Sequence, residues 1–141
     1  MQVLDSSVFA SIVVKDEYYD EAVSFIKKSL KQENATLELA FIETANVLWK
    51  HAYVFKRIPE DSFETLKSSI KPLINNAAQV YSSLDVLEKA LDNSVKYGLP
   101  VYDSLYVTLA LSKKCTLVSF DERLKNMLVE RGLGSVLASD T

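Results

Sequence analysis

Four carboxylates stand where their neighbours make charge expensive. Asp5 lies between Val3-Leu4 and the apolar run Val8-Phe9-Ala10. Glu43 is the only charge between Leu39 and Trp49, and Asp103 the only charge between Leu99 and Ser112. Asp121 follows Leu117-Val118-Ser119-Phe120. A carboxylate buried without a partner either takes up a proton or finds a cation. If the four converge they repel one another, and a divalent ion removes the penalty. An all-oxygen donor set favours Mg²⁺ or Mn²⁺ over Zn²⁺. Helix capping is the competing use: Asp5 and Asp121 can serve as N-caps, Ser119 with Glu122 has the spacing of a capping box, and Asp103 falls in a first turn, where the helix dipole favours an acid. A hydrogen-bonded buried carboxylate without chemistry is the alternative for Glu43.

The elements that would position these acids follow from apolar periodicity. A short strand ends at Asp5, and a helix follows over residues 6–14. A second helix covers 18–31, with Lys27, Lys28 and Lys31 towards its C-terminus and Asn34 as a stop. A weak strand over 35–39 leads into a long helix over 41–55. Pro59-Glu60-Asp61 opens another helix, with Phe63, Leu66, Ile70, Leu73 and Ile74 on its inner side. The last two helices are expected to pair antiparallel. Residues 79–81 read as a third strand. A helix over 84–97, with Leu84, Leu87, Leu91 and Val95 in register and Asp85 and Glu88 spaced as a capping box, ends at Gly98. Pro100 restarts the chain into a helix over 101–113. A fourth strand covers 116–120, a helix 121–130, and a fifth strand 134–138. Alternating strands and helices predict a parallel α/β sheet covered on both faces. In such a sheet Asp5 and Asp121 reach the same C-terminal edge, where ligands bind. Glu43 and Asp103 lie near the starts of helices that can begin from that edge.

The totals agree with one α/β domain over residues 1–141: 48% hydrophobic and 25% charged residues, with 3 Gly and 3 Pro. Cys115 is the only cysteine, which excludes an intrachain disulfide and a thiolate metal cluster. No basic segment precedes an apolar run at the N-terminus, and no apolar stretch has the length of a membrane span, so no signal peptide, no membrane and a cytoplasmic location are expected. The net charge of −3 argues mildly against a nucleic-acid partner. That argument weakens if the acids are concentrated in one metal-binding cleft, because the ions reverse the local sign.

Leu4-Asp5-Ser6-Ser7, Glu43 with Asn46, the segment from Tyr97 to Tyr106 containing Pro100-Val101-Tyr102-Asp103-Ser104, and Leu117-Val118-Ser119-Phe120-Asp121-Glu122-Arg123-Leu124 together resemble the PIN-domain ribonucleases, specifically the VapC-type toxins. The order Asp, Glu, Asp, Asp fits the whole chain, and no essential acid is missing. Ser6 stands where the family often has Thr. The resemblance implies a three-layer α/β/α sandwich with a mostly parallel sheet of about five strands. It implies Mg²⁺- or Mn²⁺-dependent RNA cleavage by a toxin restrained by a cognate antitoxin. By carry-over, Asp5, Glu43 and Asp103 are the core metal ligands and catalytic acids and Asp121 the fourth. Ser7 orients the first Asp, Ser119 braces the last, and Asn46 is supporting. One ion held by Asp5 and Asp103 would generate hydroxide for in-line attack, and a second, roughly 4 Å away near Glu43 or Asp121, would stabilise the leaving 3′-oxygen. The products would carry 5′-phosphate and 3′-hydroxyl.

RNA approaching an acidic cleft needs cations at the rim. Arg123, Lys125 and Lys50 are the candidates, with ordinary surface charge as the alternative for each. Tyr102 and Tyr106 have rings that can stack a base, although a helix this apolar more often buries its aromatics. The apolar residues from Trp49 to Phe55, with Phe63, are candidates for a homodimer or antitoxin surface. Rival readings are a catalytically silent PIN-like module that binds RNA or protein, a receiver-type phosphoacceptor, and a structure-specific DNA nuclease. A receiver needs adjacent acids after the first strand and an acceptor Asp after the third, where this chain has Ser6-Ser7 and Tyr81-Ser82-Ser83. A duplex nuclease needs insertions for which 141 residues leave little room.

Overall fold

The computed structural model describes residues 1–138. Four short strands, β1 (Gln2–Leu4), β2 (Asn34–Leu37), β3 (Gln79–Tyr81) and β4 (Thr116–Val118), pair in parallel in the order β3-β2-β1-β4. The period of two along each strand divides the core. Val3 and Leu117 point to one face with Ala35 and Leu37, while Leu4 and Val118 point to the other. Helices α1 (Ser6–Val14), α2 (Tyr19–Lys28), α3 (Leu39–Trp49) and α4 (Glu60–Ala77) cover the Leu4 face. Helices α5 (Leu87–Tyr97), α6 (Val101–Ser112) and α7 (Glu122–Glu130) cover the Val3 face. The result is the expected α/β/α sandwich, and among the described residues no helix is long and apolar enough to cross a membrane.

Chain order locates the ligand edge. From β1 the chain steps through β2 to the outer strand β3, then crosses back to place β4 on the opposite side of β1. The connections therefore diverge between β1 and β4, and the crevice beyond their carboxyl ends is where open α/β sheets bind ligands. Asp5 and Ser119-Phe120-Asp121 lie directly after those two strands. Thr36 ties the neighbouring strand to the same place by donating from its hydroxyl to the Leu4 carbonyl at 2.7 Å.

Several elements differ from the sequence reading for identifiable reasons. Residues 134–138 form no fifth strand: Gly134–Val136 is a 3-10 turn, and one parallel bridge joins Leu137 to Leu117. Asn34 opens β2 instead of stopping a helix. Its side-chain amide donates to the Ala77 carbonyl at 3.0 Å and to Ser29 Oγ at 2.8 Å, which fixes the entry to the strand. The helix expected over 41–55 begins at Leu39, and beyond Trp49 it widens into a π-turn, Lys50–Val54. The wide turn leaves Trp49, Tyr53, Val54 and Phe55 about half exposed. Ser82 caps a 3-10 turn at Ser83–Val86 and α5 begins only at Leu87, so Asp85 and Glu88 form no capping box. With that start, Val86 and Ala90 enter the core while Leu84, Leu91 and Val95 face outward. Gly98 ends α5 in the left-handed region at φ 69°, where glycine is the unstrained residue.

Candidate active site

Asp5 is fixed first by the backbone. Its amide continues the β1–β4 ladder by donating to the Val118 carbonyl at 3.2 Å. Its side chain then caps α1: Oδ1 accepts from the Ser7 amide at 3.0 Å and from the Ser7 hydroxyl. Ser7 Oγ also accepts from the Phe120 amide at 2.8 Å and lies 3.4 Å from Ser119 Oγ, while Ser119 Oγ accepts from the Asp121 amide at 3.1 Å. These two hydroxyls thus couple the tips of β1 and β4. Asp5 is 4% exposed. Burial pushes its carboxyl up to about 7; the hydroxyls of Ser119 and Ser7 and the Ser7 amide oppose the rise, and Asp121 adds to it.

The other three acids arrive from separate elements. Glu43, half-buried on α3, accepts at Oε1 from the Tyr106 hydroxyl of α6 at 2.7 Å. Burial raises the Glu43 carboxyl, its hydroxyl partners Tyr106 and Ser6 lower it, and Asp103 and Asp121 raise it further. Tyr106 is itself buried, and burial with the nearby charges of Glu43 and Asp5 holds its phenol protonated. Asp103 lies in the first turn of α6. Asp121 caps α7, accepting at Oδ1 from the Leu124 amide at 3.2 Å. Capping and convergence are therefore not alternatives here, since Asp5 and Asp121 do both.

Arg123 meets two of the acids. Its Nη2 lies 3.2 Å from Asp103 Oδ2 and 3.6 Å from Asp121 Oδ2, and the Asp103 hydrogen bond with the adjacent negative charge raises the guanidinium further. Lys125 pairs with Glu122 at 3.3 Å. Lys50 is exposed in the π-turn and Asn46 exposed one turn beyond Glu43; among the described residues neither side chain forms an ion pair or hydrogen bond. Of the residues singled out in the sequence, the structure brings together Asp5, Ser7, Glu43, Asp103, Ser119, Asp121 and Arg123, and leaves Lys50 and Asn46 apart from that network. Sequence reasoning missed the Tyr106–Glu43 bond. The signal was present, because Tyr106 lies three residues after Asp103 and so on the same side of its helix.

Among the described residues, no three His, Cys, Asp or Glu side chains are drawn together closely enough to chelate an ion directly. The chemistry of the donors still fits Mg²⁺ or Mn²⁺. The set is all oxygen, Asp5 and Glu43 carry charge that burial disfavours, and Mg²⁺ binds through one or two carboxylates while keeping several waters.

Fold and site together define an α/β sandwich protein with an acidic ligand edge at the sheet's switch point. The PIN domain family model matches residues 3–128. Ribonuclease VapC3 of Pyrobaculum aerophilum is 34% identical over 124 residues, spanning 86% of this chain and 90% of that protein. The crystal structure of PAE2754 from Pyrobaculum aerophilum matches with a TM-score of 0.67 at 25% identity, covering 89% of this chain and 84% of that one. The chain belongs to the PIN-domain family and is of the VapC type.

The burial of Asp5 makes stability depend on pH. Its carboxyl ionises near 3.8 in an unfolded chain and near 7 in the folded one. The folded state holds the proton more tightly, so the contribution is fully present below pH 3.8 and is lost as pH rises through 7. Over that window the effect is on the order of 4 kcal/mol. Asn at this position can still cap α1. In EDTA, urea denaturation is expected to find Asp5→Asn more stable than the native chain at about pH 8, with the gap closing towards about pH 4. A gap that does not change with pH contradicts the assignment.

Proposed function

We propose that this chain, acting as a single PIN domain over residues 1–141, is a Mg²⁺- or Mn²⁺-dependent endoribonuclease and the cytoplasmic toxin of a type II toxin–antitoxin pair. The observation that supports this reading is that four acids from four elements lie near enough to interact: Asp121 acts on Asp5, Asp103 and Asp121 act on Glu43, and Arg123 meets both Asp103 and Asp121. The relative named a ribonuclease supports it over most of both chains.

When bound, a divalent ion at such an edge supplies positive charge to the phosphoryl oxygens and an acidified water. Asp5 and Asp103 are the residues proposed to hold it, with Glu43 and Asp121 flanking. The side chains do the positioning. Ser7 fixes Asp5 through Oδ1, Tyr106 fixes Glu43 through Oε1, and the Leu124 amide fixes Asp121 through Oδ1. Each carboxylate is thus oriented by one oxygen, as partners behind metal ligands do elsewhere. Arg123 is placed to compensate Asp103 and Asp121 and, when released from them, to meet a phosphate. The ion pairs of Arg123 also give the second reading its one support: a module in which the acids are permanently neutralised would bind RNA without cutting it.

Incubation with a mixed single-stranded RNA pool and Mn²⁺ or Mg²⁺ is expected to yield fragments with 5′-phosphate and 3′-hydroxyl ends. Activity should vanish in EDTA and in Asp103→Asn, and Tyr106→Phe should lose about 10- to 100-fold. Metal-dependent RNA binding without cleavage, by folded protein free of antitoxin, selects the silent module. Cleavage surviving Asp103→Asn removes the site.

Two apolar surfaces suit the proposed partners. The half-exposed Trp49, Tyr53, Val54 and Phe55 offer a face for an antitoxin segment, and Leu91 and Val95 on α5, with Leu84 in the turn before it, offer one for a second copy. Light scattering is expected to give the mass of a homodimer for the native chain and of a monomer for Leu91→Glu with Val95→Glu. A native monomer at high concentration contradicts the dimer.

A further inference from the structure

A groove of about 470 Å³ opens directly beside the acidic edge, a size within the range of ligand-binding clefts. Ser7 and Asp121 form its inner end, and Ser11, Asp16, Tyr18 and Phe120 continue it outward along α1 and the α1–α2 loop. None of the roles proposed above uses Tyr18. The ring of Tyr18 stacks on Phe120 with centroids 5.4 Å apart and planes 11° from parallel. Phe120 is buried and Tyr18 only partly so; one face of Tyr18 is therefore covered, and its remaining surface lines the groove.

This ring is held in advance of any ligand. The Tyr18 amide donates to Asp16 Oδ1 at 2.9 Å, Asp16 Oδ2 accepts from Ser11 Oγ at 3.0 Å, and the Tyr18 hydroxyl donates to Glu122 Oε1 at 3.3 Å. A flat aromatic surface that needs no further ordering is suited to stacking, because little freedom is lost on binding. Core packing accounts for the face of Tyr18 against Phe120, but it does not require a groove-lining ring fixed at its backbone, ring and hydroxyl as well.

Charge then selects which part of a nucleotide enters. Acids Asp16, Glu17, Asp121 and Glu122 line the groove against the single cation Arg123 at its inner end. Phosphate is repelled from the outer part, whereas an uncharged base is not. Carboxylates only accept hydrogen bonds, so they favour the base edge richest in N–H donors, which an exocyclic amino group supplies.

We propose that the groove beside Tyr18 is a nucleobase subsite, holding the base next to the scissile phosphate stacked on Tyr18 and favouring amino-bearing bases over uracil. This rests on the ribonuclease reading, since the site is defined by its continuity with the β1–β4 edge.

The test measures binding of short single-stranded RNAs to the full chain in the cleavage-disabled Asp103→Asn background. One set carries a fluorescein end-label for anisotropy; a second carries 2-aminopurine at each position in turn, whose emission is quenched by stacking. Quenching is expected at one position with Tyr18 and with Tyr18→Phe. It should be absent with Tyr18→Ala and with Tyr18→Leu, which still covers Phe120. Affinity should fall about 5- to 150-fold in the Ala and Leu variants, the range of base–aromatic stacking. Oligo(A) and oligo(C) should bind more tightly than oligo(U). RNA that binds with unchanged affinity and unchanged quenching after Tyr18→Leu overturns the subsite and leaves the ribonuclease reading standing. Equal or tighter binding of oligo(U) overturns the base preference. No binding of any RNA by the native chain or by Asp103→Asn removes the ribonuclease reading and the subsite with it.

Discussion

Asp5 is a carboxylate carried almost out of solvent by Val3 and Leu4, both of which are fully buried. The central strand cannot be in the core without taking the residue that directly follows it there too. Water is replaced by the hydroxyls of Ser119 and Ser7 and the Ser7 amide, and these do not fully offset the lost hydration, so the carboxyl is pushed up to about 7. A positive charge at such an edge would offset a desolvation cost already incurred on folding, which is the physical ground for the proposed cation site. Glu43 repeats the arrangement, with burial opposed by the Tyr106 phenol and the Ser6 hydroxyl.

The rest of the edge can be understood as the machinery that keeps these charges together. Ser7 and Ser119 join the tips of β1 and β4 through the Phe120 and Asp121 amides, so the two strand-end acids move as one unit. Tyr106 ties α6 to α3 across the sheet edge. Arg123 spans α6 and the start of α7 by meeting both Asp103 and Asp121. Because each acid comes from a different element, the edge exists only when both faces of the sheet are packed. Beyond it, the groove past Tyr18 extends the same surface with further acids, Asp16, Glu17 and Glu122, and no added cation, which suits an uncharged base more than a phosphate backbone.

Much of this was legible in the sequence because burial and charge conflict there in plain view. An isolated Asp or Glu in an apolar run marks a position with a second requirement, and Asp5, Glu43, Asp103 and Asp121 all met that description. Strand and helix order followed from periodicity. What was not legible depended on partners distant in sequence. The outward turn of Leu84, Leu91 and Val95 follows from the late start of α5 after the Ser82-capped turn, which no local pattern announces. Residues 134–138 have strand-like composition, yet they reach β4 with one bridge because the chain turns in a 3-10 coil first. Tyr18 stood only as the first residue of the helix expected over 18–31; its stacking on Phe120, about a hundred residues away, needed the fold.

Whether the β1–β4 edge is a divalent-metal site is tested most directly by anomalous diffraction from crystals soaked in Mn²⁺. The expected result is a manganese peak within direct or water-bridged reach of the Asp5 and Asp103 carboxylates, with Arg123 moved off Asp103, and no such peak in Asp5→Asn. Saturating Mn²⁺ that leaves the edge empty and the Arg123 ion pairs intact would contradict the metal site.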